Sequence, residues 1–391
     1  MALDAETFSI LKDSIHRFVQ ERLVPNEDRV EEEDEVPAEI VAEMKALGLF
    51  GLSIPEEYGG IGLTMAEEVE ICMELGQTAL AFRSVFGTNV GIGSQGILMD
   101  GTEAQKQTWL PKIASGEVII SFALTEPNAG SDAASLQTTA ILDGNEYVIN
   151  GTKRYITNAV RAHALTLMAR TSSANEPAIK GAGGISAFIV PRDTKGITLG
   201  KIDKKMGQRG TKTCDVIFEN ARVPAANIIG GKPGAGFKTA MKVLDRGRFH
   251  ISALATGMHK RILKEALDYA MQRKQFGQAI AEFQLIQGML ADMQTDLYAS
   301  ECMVRDGARR YDAAQTTKDP QLPMLAAACK YFTTEAVGRA ADKAVQIHGG
   351  AGYMSETKVE RFYRDVRVLR LYEGTSQIQQ VIIAKSLLKG L

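Results

Sequence analysis

Apolar residues recur at helical spacing at the start of the chain. Phe8, Leu11 and Ile15 lie three or four residues apart, which places their side chains on one face of an α-helix. A second run with this spacing covers residues 65–75. We therefore predict an N-terminal helical domain over residues 1–119.

The spacing changes near residue 118, where short runs rich in β-branched side chains begin. The pairs Asp143-Gly144 and Asn150-Gly151 between such runs favour tight hairpin turns. We predict a middle antiparallel β domain over residues 120–232. Its strand-like runs cover residues 118–126, 146–157, 163–171, 185–192 and 214–224.

Helical spacing returns at Phe237 and continues to the end of the chain. Met289 and Met293 belong to one long apolar stripe. The glycine-rich segment 348–352 interrupts the pattern, as expected of a turn between helices. We predict a C-terminal four-helix bundle over residues 233–391, and the fold class is therefore α+β.

Composition and charge argue against several functional classes. Hydrophobic residues make up 45% and charged residues 24% of the 391 positions, as is usual for a globular protein. The net charge of -2 argues against a nucleic-acid binder, which normally has a basic face. No apolar run approaches the roughly 18 residues that a membrane-spanning helix needs. The polar N-terminus lacks the apolar core of a signal peptide, so we expect a cytoplasmic protein.

Cysteine and histidine spacing gives no sign of a metal site. The four cysteines lie far apart without a CxxC pair, which is typical of free thiols in a reducing compartment. The five histidines show no HxxxH spacing. We expect no metal centre.

The segment YEGTSQIQQ contains the first candidate catalytic residue, Glu373. Gly374 gives the backbone next to this carboxylate unusual freedom, and Thr375 can cap the helix that follows. A carboxylate on such a turn can face a cleft and act as a general base. The alternative, an ordinary solvated glutamate beside a helix cap, stays open on these residues alone.

Three other segments could bind a cofactor. TEPNAGSD, residues 125–132, can present backbone N–H groups and a hydroxyl to a phosphate, or it can be a plain turn. TKRYITNA, residues 152–159, can lay a ring against one face, or it can be an ordinary strand. RKQFG at 273–277, with Gln284 beyond it, could hold a pyrophosphate and an adenine, or it could end a solvated helix. The dinucleotide-binding pattern GxGxxG after a strand is absent.

Glycines interrupt one helical segment of the first domain, at Gly87, Gly91, Gly93 and Gly96. Each glycine in an exposed helix costs about 1 kcal/mol relative to alanine. Close packing between helices and a helix thinned beside a cavity both explain them, and the sequence does not decide between the two.

Four motifs, in this order along an α–β–α chain, resemble the acyl-CoA dehydrogenase family. They are FALTEPNAGSD at 122–132, YITN at 155–158, RKQFG at 273–277 with QIHGGAGYM at 346–354, and YEGTSQIQ at 372–379. The resemblance extends over essentially the whole chain. It implies an oxidoreductase that carries out FAD-dependent α,β-dehydrogenation of an acyl-CoA thioester.

The resemblance also implies residues for the FAD site. One group would lie beside the flavin: Phe122, Leu124, Thr125, Gly130, Ser131, Tyr155, Ile156 and Thr157. Many members carry Trp where this chain has Tyr155. Thr375 and Gln377 would also contact FAD. In this family a neighbouring subunit of a homotetramer, a dimer of dimers, completes the adenine half, which would be held by Arg273, Phe276, Gln284, Gln346, Gly349 and Gly350.

For catalysis, the resemblance implies that Glu373 removes the α-proton and that flavin N5 takes the β-hydride. Some branches of the family place the base at the position of Gly247, so glycine here favours the branch whose base lies in the YEGT loop. The expected substrate is a short- to medium-chain acyl-CoA, straight or branched, and the expected electron acceptor is the electron-transferring flavoprotein. The substrate would be contacted by Ser131, Asp245, Arg248 and Gly374.

Arg83 and Ser84 raise an alternative substrate. They fall where glutaryl-CoA dehydrogenases carry an Arg-Ser pair that binds a distal carboxylate. A guanidinium at the end of the pocket would pair with such a group, which makes a dicarboxylyl-CoA the alternative. An arginine that only hydrogen-bonds helix ends is the other interpretation. An acyl-CoA oxidase on this fold and a non-catalytic helical scaffold also stay open. The pathways implied are fatty acid β-oxidation and amino acid catabolism.

Overall fold

The structure is a computed structural model that describes residues 3–173, 179–317 and 319–390. Helices form the N-terminal part, strands the middle part and helices the C-terminal part, so the predicted α+β fold is confirmed. The predicted domain boundaries at 119 and 232 stay predictions, and residues 1–2 and 391 at the outer ends lie outside the described residues.

The N-terminal helices begin where the sequence supplies capping side chains. The Asp4 side chain accepts a hydrogen bond from Thr7 N at 2.9 Å, and Thr64 forms a reciprocal capping box with Glu67. Gly48 ends the third helix with a φ of 71°, which glycine adopts without strain. The helices are α1 (Ala5–Phe18), α2 (Glu27–Glu33), α3 (Ala38–Ala46), α4 (Met65–Leu75), α5 (Leu80–Val90), α6 (Gln95–Asp100) and α7 (Glu103–Ala114).

Within the described residues, the middle part forms one sheet of seven strands. The strands are β1 (Ile120–Ala123), β2 (Thr139–Asp143), β3 (Glu146–Thr157), β4 (Ala164–Ser173), β5 (Ile185–Pro191), β6 (Ile197–Ile202) and β7 (Thr213–Pro224). Their order is β1-β4-β2-β3-β7-β6, and β5 pairs with β4 beside this path.

The sheet is mixed, so the prediction of an antiparallel middle domain was wrong in this detail. β4 runs parallel to both β1 and β2, whereas the other pairs are antiparallel. Side chains alternate with the same period in both kinds of pairing, so the pattern indicates strands but not their direction. β2 and β6 were not predicted, because few of their residues are buried and neither contains a long apolar run.

The longest C-terminal helix packs against both other parts of the chain. α8 (Gly236–Gln272) is 37 residues long and contacts α4 and β5. Gly257 on α8 lies so close to the Met73 carbonyl of α4 that a Cβ would collide with it. A short hairpin of β8 (Lys274–Gln275) and β9 (Gln278–Ala279) follows. The remaining helices are α9 (Gln284–Thr317), α10 (Leu322–His348), α11 (Lys358–Val366) and α12 (Ser376–Leu388).

No helix among the described residues has both the length and the apolar content to cross a membrane.

Candidate active site

A cavity of about 1160 Å³ lies where the three parts of the chain meet. Its wall includes α5, the end of β1 and the segment after it, the end of β3, the first half of α8 and the loop before α12. Ser121 Oγ donates to the Thr157 carbonyl at 2.7 Å, and Asn158 Nδ2 donates to the Ser84 carbonyl at 2.8 Å, which ties these walls together. A typical single-ligand pocket has roughly 300–1,000 Å³, so this cavity has room for a cofactor and a substrate.

Glu373 lines this cavity in a strained backbone conformation. Its φ of 52° lies in the left-handed region, and Gly374 follows with a φ of 93°. A left-handed non-glycine residue costs about 1–3 kcal/mol and persists where its surroundings fix it. The carboxylate Oε2 is buried and has no hydrogen-bond partner. Gly247 on α8 makes room for this oxygen, because any Cβ there would collide with it.

Hydrogen bonds from two side chains fix the backbone of this loop. The Gly374 carbonyl accepts from Lys330 Nζ at 2.7 Å and from Gln379 Nε2 at 2.9 Å. The Thr375 side chain accepts from Ile378 N at 3.3 Å and caps α12, as predicted. The carboxylate is therefore presented from a loop that is held on both sides.

Burial and nearby cations act on the Glu373 carboxyl in opposite directions. Burial raises its pKa above the usual value of 4.5, whereas Arg83, Lys330 and Arg248 lower it, and the net shift is upward. A carboxylate with a raised pKa accepts a proton more readily. The three cations still favour its ionised form, which is the form that a base needs.

The first group of predicted FAD residues lines the same cavity. It comprises Phe122, Leu124, Thr125, Gly130, Ser131, Tyr155, Ile156 and Thr157. Thr375 also lines the cavity, whereas Gln377 does not and is exposed. β3 is irregular at this point: its pairing with β7 shifts between Lys153 and Ile156, and Tyr155 adopts a φ of 58°.

A buried ion pair supports the segment that follows β1. Lys153 Nζ lies 2.7 Å from Glu126 Oε1 and donates to the Leu124 carbonyl at 3.0 Å. Glu126 also accepts from Gln137 N at 2.6 Å. Burial lowers the pKa of Lys153 to about 8, although Glu126 opposes this shift. These contacts hold residues 125–132 against the sheet.

Open space and an unpaired hydroxyl make the cavity wall suitable for a flavin dinucleotide. A Cβ on Gly130 would meet nothing within 4 Å, so the wall is open there. Thr211 lines the cavity, and its buried Oγ1 has no hydrogen-bond partner. Buried polar atoms normally have partners, so this hydroxyl is available to a ligand. With the hydroxyls of Thr125 and Thr157 and the ring of Tyr155, the residues present fit FAD.

The second group of predicted FAD residues lies outside this cavity. Phe276 is 93% exposed and adopts a φ of 52°. An exposed phenyl ring on a strained backbone is typical of a surface that contacts another molecule. One chain alone does not bring this group to Glu373. Its members, all exposed on the single chain, are Arg273, Phe276, Gln284, Gln346, Gly349 and Gly350.

Of the predicted substrate contacts, Ser131, Arg248 and Gly374 line the cavity and Asp245 does not. The Arg248 side chain is 5% exposed, and its Nη1 lies 2.5 Å from Asp245 Oδ1. Its Nε is buried without a partner, and its Nη2 lies 3.8 Å from the position that a Cβ on Gly374 would take. Burial lowers the pKa of Arg248, and Asp245 and Glu373 oppose this shift. Arg248 therefore lies against the loop that carries Glu373.

Arg83 and Ser84 line the cavity from α5. The Arg83 guanidinium lies along the helix surface, where a Cβ on Gly87 would come within 2.5 Å of its Nη1. Its Nε is buried without a partner, and its Nη2 lies 3.5 Å from His250 Nδ1. The Ser84 hydroxyl is already engaged, because Oγ donates to the Leu80 carbonyl at 3.0 Å.

The glycines of the first domain have both of the expected roles. Gly87 and Gly91 line the cavity. Gly93 instead packs closely, since a Cβ there would come within 2.7 Å of the Ile120 carbonyl. A thinned helix and close packing therefore occur in the same segment.

Several charged residues of the cavity region were missed by sequence analysis. Lys330 on α10 is fully buried beside the loop of Glu373. His250 on α8 lines the cavity, and its Nε2 lies 2.6 Å from Glu68, which also pairs with Arg246. The only sign of these residues in the sequence was a charged residue at a core position of an apolar helical stripe. No group of three His, Cys, Asp or Glu side chains in the described part of the chain is arranged to hold a metal.

Three family models match the chain in succession. They describe the acyl-CoA dehydrogenase N-terminal domain over residues 5–117, the middle domain over 121–221 and the C-terminal domain over 234–388. The chain belongs to the acyl-CoA dehydrogenase family, as its motifs predicted. It is an oxidoreductase of the type that carries out FAD-dependent dehydrogenation of an acyl-CoA.

Two relatives and one solved structure illustrate the similarity. The chain is 42% identical to the probable acyl-CoA dehydrogenase YngJ of Bacillus subtilis, with 97% of each chain covered. It is also 42% identical to the caffeyl-CoA reductase-Etf complex subunit CarC of Acetobacterium woodii, with 93% of each covered. Its fold is similar to that of glutaryl-CoA dehydrogenase from Mycobacterium smegmatis, with a TM-score of 0.89, 31% identity and coverage of 100% of this chain and 96% of that one.

Proposed function

We propose that Glu373 is the general base that removes the α-proton of the acyl-CoA substrate. The observation that carries this proposal is its carboxylate Oε2, which is buried at the cavity without a hydrogen-bond partner. Buried acceptors normally have partners, so an unpaired one at a cavity wall is available to a proton of a ligand. The strained φ of Glu373 supports the same role, because such strain concentrates at functional sites.

The site reduces the difference in acidity between the substrate and the base. A thioester α-proton is far too weakly acidic for an ordinary carboxylate with a pKa of about 4. Burial raises the pKa of Glu373. In this proposal, a backbone N–H near Glu373 would stabilise the negative charge that develops on the thioester oxygen. Bound FAD would supply the acceptor for the β-hydride.

The wall formed by β1 and β3 holds the flavin in this proposal. Thr125, Ser131, Tyr155 and Thr157 line one side of the cavity and would hold the flavin ring and the phosphates of FAD there. The exposed group around Phe276 would hold the adenine half of the FAD bound to a neighbouring subunit, within a homotetramer built as a dimer of dimers. Its exposure on the single chain supports this arrangement.

Replacing Glu373 with Gln tests the base. The amide keeps the size of the side chain and loses its basicity, so we expect flavin bleaching by butyryl-CoA without oxygen to slow about 10³-fold. Flavin content should stay normal. Glu356→Gln, at an exposed position of the same part of the chain, is the control and should bleach at the wild-type rate. Near-normal turnover by Glu373→Gln would remove this residue from the mechanism.

The proposed substrate is a short- to medium-chain acyl-CoA, straight or branched. Arg83 favours a dicarboxylyl-CoA as the second candidate, because its buried Nε has no partner. A distal carboxylate would provide a charge-assisted partner for this guanidinium. Similarity to a glutaryl-CoA dehydrogenase supports the same candidate.

Arg83→Ala separates the two candidates. If Arg83 binds a distal carboxylate, kcat/KM should fall about 100-fold for glutaryl-CoA and much less for butyryl-CoA. Equal losses on both substrates would reject the carboxylate role.

The proposed electron acceptor is an electron-transferring flavoprotein. The name of the CarC relative, a subunit of a reductase-Etf complex, supports this partner. Rapid reoxidation of the reduced flavin in air would favour the oxidase alternative instead. The non-catalytic scaffold alternative has no support, because the chain belongs to a family of oxidoreductases.

A further inference from the structure

Lys330 is a fully buried cation to which the proposed reaction gives no role. It lies on α10 with 0% of its surface exposed, and its Nζ donates to the Gly374 carbonyl at 2.7 Å. An ammonium group inside a protein is costly unless it is hydrogen-bonded or paired. Its position behind the loop of Glu373 therefore needs a reason.

Two acidic groups act on the charge of Lys330, and one of them, Glu373, belongs to this loop. Glu373 and Glu335 both attract its positive charge, and Arg248 repels it. Glu335 has other partners, because it accepts from Ser376 Oγ at 2.6 Å and pairs with an arginine. Glu373 has an unpaired buried oxygen. The buried ammonium therefore compensates mainly the carboxylate of Glu373.

The hydrogen bond of Lys330 also restrains the backbone that presents this carboxylate. The Gly374 carbonyl accepts from both Lys330 and Gln379, so the peptide cannot rotate without breaking two hydrogen bonds. Glu373 and Gly374 are both left-handed. Rotation of this turn would relieve the strain and move the carboxylate away from its position beside Gly247.

We propose that Lys330 is a positioning residue for the base: its hydrogen bond maintains the left-handed turn, and its charge favours the ionised form of the buried carboxylate. The inference rests on the proposed role of Glu373 as the base.

The direction of the electrostatic effect follows from the groups that face Glu373. They are Arg83 on α5, Arg248 on α8, Lys330 on α10 and the neighbouring Tyr372. Burial raises the pKa of Glu373 and the three cations lower it, while Asp245 pairs with Arg248. Burial lowers the pKa of Lys330 to about 8, so this charge is present at neutral pH. Without it, the pKa of Glu373 would rise further, and the base would stay protonated to higher pH.

Lys330→Met removes both the donor and the charge, and the pH profile of kcat/KM for butyryl-CoA measures the result. We expect the acid limb to move about one pH unit upward, with about a tenfold loss at the acid end. Amide hydrogen exchange of residues 371–376 should become faster. Lys343→Met is the matched control: it lies on the same helix, pairs with Asp292 at 2.8 Å and should change neither readout.

Lys330→Gln keeps a donor without the charge and supplies the test if the Met variant does not fold. Its acid limb should move while its hydrogen exchange stays closer to that of the wild type. An unchanged acid limb and unchanged exchange in the variants would overturn the proposal, as would a loss of rate that is equal at every pH. An active Glu373→Gln would reject the proposed base itself, whereas an inactive one beside wild-type-like Lys330 variants would reject only the role of Lys330.

Discussion

A single chain restrains the loop of Glu373 and buries its carboxylate oxygen, whereas it leaves the side chain of Phe276 exposed to solvent. Both residues have a φ of 52°, so both are strained. The Glu373 loop is held within its own chain by Lys330 and Gln379, and its carboxylate oxygen is buried. Phe276, by contrast, is 93% exposed. A single chain thus encloses the proposed base and leaves the residues predicted to hold the adenine exposed.

We infer from this difference that a second copy of the chain would complete the part of the site around Phe276. Strain persists where the surroundings fix a residue, so the surroundings of Phe276 are expected to come from a second copy of the chain. Substitutions near Glu373 should therefore alter the chemical step in protein that has its flavin bound. Changes near Phe276 should alter flavin retention and assembly instead.

Among changes that leave Glu373 itself in place, Gly247→Ala should have the largest effect on the chemical step with butyryl-CoA. The new Cβ would collide with Glu373 Oε2 and displace the carboxylate. A misplacement of about 1 Å can cost about 100-fold in rate, and we expect a loss of that size in single-turnover flavin bleaching. Gly288→Ala is the control, because a Cβ at this helical glycine would meet nothing within 4 Å. Bleaching by Gly247→Ala at the wild-type rate would contradict the geometry of the base.

Phe276→Ala should have an intermediate effect of a different kind. We expect flavin to be retained about tenfold less tightly, the equivalent of about 1.4 kcal/mol, while the bleaching rate of the loaded fraction stays unchanged. Flavin release during dilution, followed together with oligomeric state, measures this. Ile10→Ala, which removes a 60% exposed apolar residue from α1, should change neither. A slower chemical step in the flavin-loaded Phe276→Ala protein would contradict the distinction between the two regions.

The smallest expected effect is on stability: Glu373→Gln should make the fold slightly more stable. Burial raises the pKa of Glu373 in the folded state above 4.5, so the ionised carboxylate destabilises the fold at neutral pH. The amide removes this cost, and we expect about 1 kcal/mol more stability at neutral pH. The gain should shrink as the pH falls through the raised folded pKa and should vanish below the unfolded carboxyl pKa, where the wild-type group is protonated in both states. Denaturant unfolding at neutral and acidic pH measures the difference; a gain that grows with acidity would contradict the shift.

Sequence analysis predicted the order of the domains and many of the residues that line the cavity. It predicted fewer of the contacts that hold these residues in place. The YEGT and FALTEPNAGSD motifs are local, so their residues could be named from the chain alone. Lys330 donates a hydrogen bond to a residue 44 positions away in sequence and lies in a helical stripe that resembles ordinary core. The approach of Gly247 to Glu373 depends on how α8 packs, and periodicity carries no information on that contact. The parallel pairing of β4 escaped prediction for the same reason.

The most direct test of the account follows proton transfer alone, with a substrate that cannot lose a hydride. The β-carbon of tert-butylacetyl-CoA carries no hydrogen, so an enzyme that removes its α-proton can only return a proton from the solvent. In heavy water, the wild-type protein should incorporate deuterium at the α-carbon, and Glu373→Gln with normal flavin content should not. Equal incorporation by both proteins would contradict the assignment of Glu373 as the base.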